Sequence, residues 1–65
     1  MGDSSDVYRT ERGKVWRIIR ATDGGMRVEI LKDEAWVPGP IGMVGLRLSP
    51  STTQLTPAAV RELPA

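Results

Sequence analysis

Two runs rich in β-forming residues, Lys14 to Ala21 and Met26 to Leu31, flank Thr22-Asp23-Gly24-Gly25, and this pattern predicts a hairpin. Asp-Gly and Gly-Gly supply the positive φ angles that tight turns demand. The second run alternates cleanly, with Met26, Val28 and Ile30 on the face expected to meet the core and Arg27, Glu29 and Leu31 on the other. The first run is apolar on both faces. Val15, Arg17, Ile19 and Ala21 share one side, while Lys14, Trp16, Ile18 and Arg20 share the other.

Register decides which side is buried. A two-residue loop at Asp23-Gly24 or Gly24-Gly25 puts Ile19 and Ala21 beside Val28 and Ile30, leaving Trp16, Ile18 and Leu31 together on a second apolar face. With Gly24-Gly25 at the turn, Arg20 also stands opposite Glu29, a mildly stabilising pair. A three-residue loop would invert the first strand and bring Trp16 and Ile18 to the core. The two-residue loop is the expected arrangement.

Further along, Lys32-Asp33-Glu34 reads as a turn into a short third strand, Ala35-Trp36-Val37, which Pro38 ends. Proline cannot donate to a central ladder, so Pro38-Gly39-Pro40 reads as an edge or loop. A fourth strand is expected from Met43 to Ser49, with Val44, Leu46 and Leu48 on one face. At the C-terminus, Thr56 as N-cap, Pro57 in the first helical position, then Ala58 and Ala59, predict a helix over 57–63 that Pro64 terminates. Leu55 and Val60 form its hydrophobic staple. Such a short helix is unstable alone and must dock on the sheet. Residues 1–10 read as a disordered lead-in and 11–65 as one small domain. The expected fold is mainly β (small α+β), an antiparallel meander of four short strands with a C-terminal helix, either an open sheet or a closed SH3-like barrel.

Composition narrows the chemistry. The 65 residues include no Cys and no His, which removes disulfides, thiolate and imidazole metal ligands and the usual general base. Asp33-Glu34 is the one adjacent carboxylate pair, on a turn where neighbours diverge into solvent. No Gly-x-Ser-x-Gly elbow occurs, and Gly24-Gly25 lacks the lysine and spacing of a phosphate loop. The expectation is a non-enzymatic protein without cofactor or metal. No apolar run reaches membrane-spanning length and the first residues are polar, so a soluble, cytoplasmic protein without a membrane partner is expected.

The net charge of +1 favours no class of partner, but its distribution is uneven. Arg9, Arg12, Lys14, Arg17 and Arg20 follow one another with Glu11 alone opposing them, interleaved with Tyr8 and Trp16. A basic strand carrying aromatics suits phosphate tracking and base stacking, with Arg27 added from the neighbouring strand. The plainer reading is a solvated strand whose arginines shield a sheet edge. Arg12-Gly13-Lys14, Trp16 and Asp23-Gly24 together resemble a short part of the amino-terminal domains of phage-type integrases, which implies DNA contact. The long interval before the helix departs from that pattern, and the family is not assigned.

The other candidate is apolar. Trp36, Pro38 and Pro40 make a rigid patch at low entropic cost, the composition of a binding anchor, unless Trp36 simply caps the core. Joined to the second face of Trp16, Ile18 and Leu31, it predicts a module that recognises another protein or itself as a homo-oligomer. Accessory and assembly proteins of phages and mobile elements are the expected class. Nucleic-acid binding through Arg9 to Arg20 is the alternative.

Overall fold

Two hairpins closed by the same kind of turn build the centre of the sheet. In the first, Thr10 N–H donates to Lys14 C=O (2.9 Å) and Gly13 N–H to Thr10 C=O (2.9 Å); in the second, Ala21 N–H donates to Gly25 C=O (2.8 Å) and Gly24 N–H to Ala21 C=O (3.1 Å). Each is a three-residue loop whose last member is a left-handed glycine, Gly13 at φ 85° and Gly24 at φ 90°. Asp23 Oδ1 steadies the second by accepting from Gly25 N–H at 2.8 Å. The strands so joined are β1 (Ser4–Thr10), β2 (Val15–Arg20) and β3 (Met26–Lys32).

The computed structural model describes residues 4–64 as a mainly β fold with five antiparallel strands in one open sheet. A two-residue turn leads from β3 into β4 (Ala35–Gly39), a 3-10 helix follows at Ile41–Leu48, then β5 (Thr52–Gln54) and the helix α1 (Pro57–Arg61). Strand order is β4-β3-β2-β1-β5, so β1 lies between β2 and β5. β4 and β5 are the two edges and do not pair with each other, so the sheet does not close as a barrel. Residues 4–10, expected in the lead-in, instead form a central strand; residues 1–3 of that lead-in lie outside the described residues.

The three-residue loop overturns the expected register. Trp16 stands opposite Ile30, Ile18 opposite Val28 and Arg17 opposite Glu29, so Arg20 faces Met26 rather than Glu29. Trp16 and Ile18 lie entirely within the core with Tyr8 and Val28, and Ile30, Met43 and Val44 pack against them. The Tyr8 and Trp16 rings stack at 4.9 Å with 25° between planes. The physical reason is volume: this register buries an indole and an isoleucine, where the alternative would bury an isoleucine and an alanine. Val7, Val15 and Ile19 are buried too, on the opposite face of the sheet.

The expected fourth strand at Met43–Ser49 is the 3-10 helix. Its sequence repeats every three residues, aligning Ile41 with Val44, Gly42 with Gly45, and Met43 with Leu46, which suits three residues per turn. Met43 and Val44 cap the core while Ile41 and Leu46 stay exposed. α1 begins as expected, with Thr56 Oγ1 accepting from Ala59 N–H at 3.2 Å and Pro57 leading the first turn. It ends at Arg61, with Glu62 as C-cap, two residues before Leu63. Leu55 N–H donates to Val7 C=O at 2.8 Å and ties the approach to α1 onto β1.

Candidate functional site

β4 extends the expected third strand to Gly39, and its register explains why Pro38 is tolerated. The turn Asp33-Glu34 joins Lys32 to Ala35, and residues facing β3 with their backbone groups then alternate as Ala35, Val37 and Gly39. Trp36 and Pro38 direct theirs outward. The missing N–H of Pro38 therefore costs no ladder bond, and it denies a donor to any strand that would add to this edge.

The same alternation places Trp36 on the second sheet face, opposite Leu31 and near Arg17 and Glu29. The Arg17 guanidinium lies 4.1 Å from the centroid of the Trp36 ring. Its Nε donates to Glu29 Oε1 at 2.9 Å, and Nη2 reaches the same oxygen. Cation, ring and carboxylate are thus locked together, with Trp36 and Leu31 only partly buried and Pro38 and Pro40 exposed beside them. α1 does not extend over this corner. It lines a cleft with Ser5 and Val7 on β1, three strand spacings or about 14 Å away, and its five residues span only about 8 Å.

Of the six residues expected to form an apolar binding surface, the structure gathers Leu31, Trp36, Pro38 and Pro40 and removes Trp16 and Ile18, which the core consumes. The Trp16 indole N–H is buried without an acceptor among the described residues. Exposed aliphatics that alternation assigned elsewhere appear on the 3-10 helix: Ile41 is 57% exposed, Leu46 44% and Leu48 82%. The three-residue period from Ile41 to Leu46 is the signal for the 3-10 helix that carries them.

The basic segment is not one strand, because Glu11-Arg12-Gly13 folds it into a hairpin. Arg17 is held by Glu29 and Arg20 by Asp6, the latter hydrogen bond and charge raising the Arg20 pKa further above its ordinary value. Arg9 and Arg27 share the second face but occupy opposite ends of it, level with Val15 and Ile19 respectively. Arg12 and Lys14 remain together at the first turn, exposed and without an acidic partner among the described residues.

Among the described residues, no group of three or more carboxylate, imidazole or thiol side chains could hold a metal ion, and no helix is long and apolar enough to cross a membrane. Comparison with protein families, with curated proteins and with solved structures gives no match for this chain.

Proposed function

We propose that this chain is a non-catalytic module that binds another protein through the corner of its second sheet face, with Trp36 as anchor and Leu31, Pro38 and Pro40 around it. The observation that carries this reading is the Trp36–Arg17–Glu29 lock. Tryptophan and arginine dominate binding energetics at interfaces, and an arginine already fixed on a carboxylate loses little further freedom when a partner arrives. The surface is ordered before contact. Prolines at 38 and 40 extend the rigid rim and block strand addition, so recognition proceeds through side chains rather than by sheet extension.

Panning a displayed random-peptide library against the folded chain tests the reading. Enriched ligands should lose about 2 kcal/mol or more on Trp36→Ala, and measurably less on Arg9→Ala, which shares the face but lies on β1, three strands from β4. Enrichment of nothing, or of ligands indifferent to Trp36→Ala and Leu31→Ser in variants that keep the native circular dichroism, would count against it. Light scattering over a concentration series identifies self-recognition, in which case the mass rises and Trp36→Ala abolishes the rise.

A further inference from the structure

The opposite face carries a second opening. Between the first hairpin turn and the 3-10 helix lies a cleft of about 430 Å³ whose floor is Met43 and Leu46 and whose rim is Thr10, Glu11, Arg12, Lys14 and Ser51. Thr10 shares the face of Tyr8, and Met43 packs on the core cluster, so the cleft opens on the core side of the sheet, away from Trp36. We infer that this cleft docks a linear acidic peptide segment, seating an aliphatic side chain on Met43 and Leu46 and carboxylates on Arg12 and Lys14.

Charge selects this occupant. The rim carries two cations against Glu11, and neither cation has an acidic partner among the described residues, whereas Arg17 and Arg20 are spent inside the sheet. An acidic segment supplies the charge that the rim lacks. Size excludes the folded alternatives. Leu46 is 44% exposed and Met43 lies partly in the core, so the floor is far smaller than the about 800 Å² per partner that a stable dimer buries. A nucleic acid needs several phosphate contacts in a row, and two adjacent cations beside an aliphatic floor do not provide them. A single extended strand of peptide fits both limits.

The cleft is separate from the Trp36 surface, and a titration of the ¹⁵N-labelled chain distinguishes the two. The probes are a short peptide alternating glutamate and leucine, its lysine–leucine counterpart, and a short DNA duplex. The glutamate–leucine peptide should shift the amides of Arg12, Lys14, Met43 and Leu46 and leave Trp36 unmoved. Its affinity should fall about tenfold or more in the double variant Arg12→Glu, Lys14→Glu, fall also in Leu46→Ser, and persist in Trp36→Ala. Equal binding of the lysine–leucine peptide, shifts confined to Trp36 and Leu31, displacement of the peptide by the duplex, a Leu46-dependent rise in mass, or no shift at all would each overturn it.

Discussion

Replacing Glu34 by glycine should make this protein more stable. The two-residue turn from β3 to β4 holds Asp33 at φ 53° and Glu34 at φ 66°, left-handed values that side chains with a Cβ occupy at a cost. That cost is about 1–2 kcal/mol per residue, of which about 0.5–1 kcal/mol is returned because glycine gives the unfolded chain more freedom. Both positions are exposed, so no packing is lost. Glu34→Gly is therefore expected to gain about 0.5–1 kcal/mol, and each kcal/mol moves Tm by about 4–8 °C in a domain this small. Asp33→Gly should gain less, because aspartate tolerates the left-handed region better than glutamate. Urea unfolding followed by tryptophan fluorescence provides the measurement, with Glu34→Ala and Glu34→Gln as controls that keep the Cβ while removing the charge. Both controls should stay within about 0.5 kcal/mol of the parent chain. If Glu34→Gly is no more stable than Glu34→Ala, the turn does not hold these angles and the argument fails.

Gly24→Val should destabilise by about 1 kcal/mol or more, since a β-branched residue resists φ 90°; an unchanged unfolding midpoint would contradict the three-residue turn. Thr56→Ala should cost on the order of 1 kcal/mol by removing the acceptor for Ala59 N–H, read as a lower Tm. Trp16→Ala empties the centre of the core at about 3–5 kcal/mol, comparable to the whole stability of so small a domain, so a native circular dichroism spectrum at room temperature would argue against its burial. The Arg20 pKa is raised by Asp6, so the stability this arginine contributes is complete below its unfolded pKa and is lost only as pH rises through the higher folded value. With no histidine, that contribution is flat from about pH 6 to 9, and replacing Arg20 by Met should shift Tm equally at both limits.

What was legible in the sequence is what is decided locally. Asp23-Gly24 announces a turn and Thr56-Pro57 a helix start because a few neighbouring residues satisfy or forbid backbone angles on their own. Register is not legible because Trp16 and Ile18 on one side of β2, and Val15 and Ile19 on the other, make both faces apolar, so alternation alone does not choose. The choice depends on total buried volume across strands. β1 and β5 are not legible because Ser4-Ser5-Asp6 and Thr52-Thr53-Gln54 are polar; β1 owes its place to two flanking ladders and to Val7 and Tyr8, buried on opposite faces. The 3-10 helix was hidden by Val44, Leu46 and Leu48, whose spacing of two mimics a strand while the glycines keep a spacing of three. Of the two proposed sites, the Trp36 corner is visible from composition, but the cleft joins residues far apart in sequence and exists only after folding.

The place of β1 between β2 and β5 has a consequence for how the chain acquires its shape. β1 cannot gain its second ladder until Tyr8 meets Gln54 and Thr10 meets Thr52, pairs far apart in the sequence. During synthesis the β1–β2–β3–β4 meander can assemble as it emerges, with one side of β1 open to other polypeptides until the last segment arrives. Closing that long loop carries a larger entropic cost than closing either hairpin, so whatever separates β5 from β1 leaves an inner strand as an unprotected edge.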